Sequence, residues 1–218
     1  RRYTAVATDD DGSTSESSVD LFYNNIAPFD LDIELWSQNG MVEQDQQGAW
    51  HVNEDSELML VGIADDSLND LEDLLHSWSL TDGAALVDSS RGASTSTAAL
   101  WSESGEHNIT LRVTDDDGSY SERNGLVEVH NIPPTISGTS NPLPIAEGQR
   151  LTLDAMVNDT SSDRENLQVC WDLDPGINKD EIGSADDDCD IVGIEFEYQW
   201  QFEGEYPVVL HVVDDDGA

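Results

Sequence analysis

The tetrapeptide Asp-Asp-Asp-Gly occurs three times, at Asp9 to Gly12, Asp115 to Gly118 and Asp214 to Gly217. More aspartates lie upstream of the second and third copies, at Asp65, Asp66 and Asp70 and then at Asp159 and Asp163. A further acidic stretch holds Asp172, Asp174, Asn178, Asp180, Asp186, Asp188 and Asp190, many of them two residues apart. Two like charges ~4 Å apart repel by about 1 kcal/mol in water, and by more when partly buried. The chain has 8 Lys+Arg against 47 Asp+Glu, a formal net charge of −39, and Lys179 is its only lysine. Side-chain cations are too few to relieve that repulsion. A hard cation with six to eight oxygen ligands would relieve it, and Ca²⁺ suits such a donor set. The candidate ligands are Asp65, Asp66, Asp70, Asp115 and Asp117 in one group, and Asp159, Asp163, Asp214 and Asp216 in a second. The acidic stretch supplies the third. Two other readings compete. Aspartates are common turn formers on solvated hairpin tips, and an Asp-rich, Lys-poor chain also suits a salt-rich habitat.

The same charge excludes several classes. A nucleic-acid binder needs basic side chains for phosphate, and an anionic membrane surface attracts basic segments. No apolar run approaches the ~20 residues of a bilayer-spanning helix. The five histidines, His51, His76, His107, His130 and His211, form no metal-ligand or catalytic spacing, and structural roles are expected of them. No nucleophile elbow or phosphate-binding loop is present. Carboxylates are so many that any acid–base pair would be arbitrary, so the chain does not read as an enzyme.

The aspartates belong to a repeat. The Asp-Asp-Asp-Gly copies start 106 and 99 residues apart. Asn25-Ile-Ala-Pro28 matches Asn131-Ile-Pro-Pro134 at an offset of 106, and Trp101 with Gly105 matches Trp200 with Gly204 at 99. Glu57 to Leu60 matches Arg150 to Leu153 at 93, as do Trp78 with Trp171, Asp66 with Asp159 and Asp70 with Asp163. Ordered anchors at near-constant offsets mark a tandem array. Residues 1–25 read as the last strand hairpin of a preceding repeat, 26–131 as a complete repeat, and 132–218 as a second repeat lacking its last strand. The chain is expected to be a window on a longer tandem protein, and Arg1 is not expected to be its natural start.

Short alternating runs such as Leu58 to Ile63, Asn108 to Thr114 and Tyr206 to Val213, bounded by Asp, Asn, Ser and Gly, predict half-buried strands. The segment Ser67 to Trp78 reads as a loop leading into a strand. About seven strands per hundred residues predict an all-β fold of tandem immunoglobulin-like sandwiches. Trp78 and Trp171 take the core-tryptophan position, and Trp101 and Trp200 are expected to pack as well.

The order Asn-x-x-Pro, an Asp-ended strand, a tryptophan strand, then Trp/Gly before a strand ending in Asp-Asp-Gly resembles the polycystic-kidney-disease (PKD) repeat. That is an immunoglobulin-like sandwich of surface and secreted proteins. Where the family carries a Trp-Asp-Phe-Gly-Asp-Gly-like segment, this chain has Trp78-Ser-Leu-Thr-Asp-Gly83 and Trp171-Asp-Leu-Asp-Pro-Gly176. In such a sandwich the B–C and F–G loops share one end. This would gather the first two aspartate groups, with Asn25 and Asn131, at the ends that meet the preceding repeat. The acidic stretch resembles the calcium loops of EF-hand and thrombospondin type 3 segments, although Ile191 stands where an EF-hand needs Gly. Cys170 and Cys189, the only cysteines, flank this insertion and are expected to form a disulfide worth ~3 kcal/mol in the chain-entropy picture. A disulfide implies an oxidising, extracellular compartment. The expected role is a Ca²⁺-stiffened rod or filament of a cell-surface protein. Its partners would be neighbouring repeats, identical subunits, or other surface proteins and glycans. The alternative is an accessory substrate- or glycan-binding module of a secreted hydrolase.

Overall fold

A computed structural model describes residues 1–81, 90–139, 144–175 and 189–217. Among these, regular structure is β-strand without α-helix. β1 (Arg2–Thr8) and β2 (Thr14–Asp20) form a two-stranded antiparallel hairpin. Next come β3 (Phe29–Ser37), β4 (Gly40–Val42), β5 (Ala49–Asn53), β6 (Leu58–Asp65), β7 (Leu75–Leu80), β8 (Ser90–Arg91), β9 (Ser94–Ala99), β10 (Gly105–Thr114) and β11 (Tyr120–His130). They form two sheets, ordered β4-β3-β6-β9 and β5-β11-β10-β7-β8. The order β3-β6-β9 against β11-β10-β7 is the A-B-E and G-F-C arrangement of an immunoglobulin-like sandwich. β5 adds to β11 in parallel at the sheet edge.

The second set is β12 (Thr135–Thr139), β13 (Leu151–Asn158), β14 (Gln168–Asp172), β15 (Ile191–Val192), β16 (Glu195–Tyr198) and β17 (Val209–Val213). Its sheets are β12-β13-β16 and β15-β14-β17, the same A-B-E and C′-C-F order. The segment read as a loop before Trp78 is a series of turns at 68–73 that leads into β7.

Strand parity builds both cores. In β6, Leu58, Leu60 and Ala64 point inward, and in β10 His107, Ile109, Leu111 and Val113 do the same. These side chains enclose Trp50, Trp78 and Trp101. The second core is smaller, with Leu153, Ala155 and Trp171 buried and Phe196, Trp200, Val208 and Leu210 packed against them. The three repeated turns end on Gly12, Gly118 and Gly217, with φ of 85°, 90° and 86°. This left-handed backbone strongly favours glycine and explains the recurring fourth residue.

Parity also places the carboxylates. The inward series 58, 60, 62, 64 of β6 continues to Asp66, and 107, 109, 111, 113 of β10 continues to Asp115. In the second sandwich 153, 155, 157 of β13 continues to Asp159, and 210, 212 of β17 continues to Asp214. A period of two therefore carries four aspartates onto the core face at the sandwich ends, where all four are buried.

Candidate metal centre at the junction

The loop after β5 brings Glu54 and Asp55 against the second sandwich. Asp55 takes a left-handed φ of 53°, and its N–H donates to the Trp101 carbonyl at 2.8 Å. Asp55 Oδ2 accepts from Ser161 Oγ (2.5 Å), from the Ser162 N–H (2.9 Å) and from Ser162 Oγ (3.2 Å). Burial pushes the Asp55 carboxyl up, but these serine donors outweigh it and hold the group below the usual carboxylate range. Glu54 is 1% exposed. Its Oε1 accepts the Ile132 N–H at 2.7 Å, whereas its buried Oε2 meets no donor among the described residues and the carboxyl sits against that of Asp163.

One oxygen from each of Glu54, Asp163 and Asp216 lies within 4.8 Å of the others, and Asp159, Asp163 and Asp214 form a second such triad. Asp163 belongs to both, so five carboxylates from two sandwiches make one continuous cluster. Two oxygens on opposite sides of a Ca²⁺ ion sit about 4.8 Å apart, twice a Ca–O distance of ~2.4 Å. The oxygens of each triad are no farther apart than that span, so one such ion could reach all three. Asp159 Oδ1 accepts the Thr160 N–H at 2.8 Å while its buried Oδ2 has no hydrogen-bond partner among the described residues. Asn131 Nδ2 donates to Asp214 Oδ2 at 2.9 Å.

The first sandwich repeats this local chemistry at its other end. Asp66 Oδ1 accepts the Ser67 N–H at 2.7 Å, and its buried Oδ2 has no hydrogen-bond partner among the described residues. Ser67 Oγ donates to Asp70 Oδ2 at 2.7 Å, as Thr160 Oγ1 does to Asp163 Oδ2 at 3.0 Å. Asn25 Nδ2 donates to Asp115 Oδ2 at 2.8 Å, as Asn131 does to Asp214. Asp65 faces away from the core side and is exposed, with Oδ1 accepting the Asp66 N–H. Asp117 sits exposed on the hairpin tip, and among the described residues no close triad of ligand atoms includes Asp65, Asp66, Asp70, Asp115 or Asp117.

The third group closes at the far end of β14. Asp172, Asp174 and Asp190 each bring an oxygen within 4.8 Å of the others. Asp172 is fully buried; its Oδ1 accepts the Asp174 N–H and its Oδ2 has no hydrogen-bond partner among the described residues. Cys170 and Cys189 are disulfide-bonded with Cα atoms 5.5 Å apart, tying the two sides of the insertion together. The candidate ligands Asn178, Asp180, Asp186 and Asp188 lie outside the described residues. Glu197, which would be the twelfth residue of an EF-hand loop starting at Asp186, sits in β16 and pairs with Arg150 at 3.2 Å.

Burial and like charge act together on the junction carboxyls. Burial first, then the negative charges of Asp163 and Asp216 and the carboxyl–carboxyl contact with Asp163, push the Glu54 carboxyl up to about 7, against the Ile132 N–H that lowers it. Burial followed by neighbouring aspartates also raises Asp66 and Asp159. A carboxyl raised in the fold holds its proton more tightly there than in the unfolded chain. Its contribution to stability is complete below the ordinary value of 4.5 and is lost as pH rises through about 7. The chelated chain should therefore lose stability across that window, as read by thermal melts at successive pH values. A melting temperature that rises across it would contradict this electrostatic account.

Glu54 and Asp55 were not among the sequence candidates. The available signal was the 93-residue offset, which matches Glu54 to Glu147.

The fold is an all-β, immunoglobulin-like sandwich architecture carrying buried carboxylate clusters at sandwich ends. No protein-family model matches the chain, and no curated protein matches it. Among solved structures, the chain is similar to fibronectin(III)-like modules of CbhA from Clostridium thermocellum, at 19% identity over 82% of this chain and 88% of that one, with a TM-score of 0.32. It is also similar to a marsupial T cell receptor, at 12% identity over 85% and 72%, with a TM-score of 0.25. The fold class rests on this chain's own strand order.

Proposed function

We propose that the chain is a run of PKD-like immunoglobulin repeats whose junctions are clamped by Ca²⁺, forming a stiff structural or adhesive segment of an extracellular protein. One observation carries this reading: Glu54 of the first sandwich converges with Asp163 and Asp216 of the second, beside Asp159 and Asp214. One buried oxygen of Glu54 and one of Asp159 meet no donor there among the described residues. Uncompensated buried carboxylates are costly unless protonated or bound to a cation. A cation ligated from both sandwiches binds only when they are docked, so its binding energy becomes stiffness of the junction. Residues 26–131 and 132–218 are the two repeats, and 1–25 is the closing hairpin of a preceding one. The Asn25–Asp115 contact, repeated by Asn131–Asp214, supports that division.

Asp172, Asp174 and Asp190 form a further Ca²⁺ site in the disulfide-closed insertion. The disulfide suits an oxidising compartment. Partners are neighbouring repeats or identical subunits, and other surface proteins or glycans.

Calorimetric titration of the chelated chain with Ca²⁺ tests the reading. Binding is expected together with a higher melting temperature, by about 2.7 kcal/mol of stability when free Ca²⁺ is 100 times its Kd. An unchanged melting temperature in millimolar Ca²⁺ would refute it, and stabilisation by NaCl alone would assign the acidity to salt adaptation.

A further inference from the structure

Two of the five histidines, 79 residues apart in sequence, meet on the exposed face of the β5–β11 pair. His51 is the parallel register partner of Glu128, and His130 lies two residues beyond it on the same side of β11. The imidazole rings stack at 5.3 Å with 8° between their planes. His51 Nδ1 is 3.1 Å from His130 Nε2 and 3.5 Å from Glu128 Oε2. One ligand atom from each of the three lies within 4.8 Å of the others.

We propose that His51, Glu128 and His130 bind a divalent transition-metal ion, with Zn²⁺ the best match. Tetrahedral Zn²⁺ with bonds of ~2.05 Å places its ligand atoms about 3.3 Å apart. The observed separations of 3.1 and 3.5 Å bracket that value. Two imidazole nitrogens and one carboxylate suit zinc, whereas Ca²⁺ takes oxygen ligands. The site is thus chemically distinct from the aspartate clusters.

Asp45 supplies the positioning. Its Oδ1 accepts the Gln47 and Ala49 N–H groups, both at 2.9 Å, which fixes the tight loop before β5. Its Oδ2 is left 3.1 Å from His51 Nε2. A carboxylate there takes the Nε2–H and turns the Nδ1 lone pair toward His130 and Glu128, the carboxylate–histidine–metal arrangement. The fourth position opens to solvent and takes water. The ion would pin edge strand β5 to β11 immediately before Glu54 and Asn131, from which the junction is built.

Competition with a chromophoric zinc chelator, run on the full chain in excess Ca²⁺ so that the aspartate clusters are occupied, tests this. The expected result is one Zn²⁺ per chain for the wild type. The double variant His51→Ala/His130→Ala should take up none while keeping its melting temperature in Ca²⁺. Asp45→Asn, with all three ligands intact, is expected to bind about 10–100-fold more weakly. No zinc uptake by the wild type, or equal uptake by the double variant, would overturn the site. Unchanged affinity in Asp45→Asn would overturn the role of Asp45. Because Ca²⁺ is present throughout, failure here leaves the calcium reading to its own titration.

Discussion

Asp163→Asn is expected to make the chain more stable than the parent in chelator and less stable in millimolar Ca²⁺. The side chain is 3% exposed and belongs to both carboxylate triads at the junction. Without a cation it adds a negative charge beside Glu54 and Asp159 and helps raise both carboxyls. Removing that charge relieves repulsion on the order of 1 kcal/mol. The asparagine oxygen can still accept from Thr160 Oγ1, so the turn at 160–163 keeps its hydrogen bond. With Ca²⁺ at 100 times its Kd the parent gains about 2.7 kcal/mol, and the variant loses most of it. Thermal melts of both proteins with and without Ca²⁺ provide the comparison. A structural turn aspartate predicts a different pattern, equal destabilisation in both conditions, and that result would remove Asp163 from the metal centre.

Trp101→Ala should be the most damaging single core change, costing about 3–5 kcal/mol. Trp101 is 1% exposed in the first core. Its carbonyl receives the Asp55 N–H, so it also anchors the loop that carries Glu54 and Asp55 to the second sandwich. Collapse around the vacated ring would move that loop and weaken the junction together with the fold. Trp101→Phe should cost much less, because the buried indole Nε1 has no hydrogen-bond partner among the described residues to lose. Denaturant unfolding of the two variants checks the order. A loss below about 1 kcal/mol for Trp101→Ala would show that the ring is not structurally important.

Much of this was legible in the sequence because tandem repetition prints the same contacts twice. The Asp66–Asp159 and Asp70–Asp163 offsets anticipated matching loops, and each loop has the same hydroxyl-to-aspartate hydrogen bond. The Trp78 and Trp171 register anticipated two core tryptophans, both buried. Cys170 and Cys189, flanking one insertion, are bonded to each other.

The less legible features depend on pairing between distant strands. Asp65 and Asp66 look equivalent in sequence, but the inward parity of β6 buries Asp66 and turns Asp65 outward. Asp117 looks like Asp115, yet the turn lifts it onto the exposed tip. Glu54 sits on no aspartate motif and reaches the cluster only because β5 runs parallel to β11 and ends where the chain enters the second sandwich. The same parallel pairing unites His51 and His130, which local spacing reads as unrelated.

The central claim is that Ca²⁺ locks one sandwich to the next. Its most direct test is the distance distribution between spin labels at Ser96→Cys in the first sandwich and Thr152→Cys in the second, both on exposed strand positions, with the native disulfide intact. Saturating Ca²⁺ should narrow a broad distribution to a single peak, and Asp163→Asn should abolish the narrowing. The same distribution in chelator and in saturating Ca²⁺ would contradict the account.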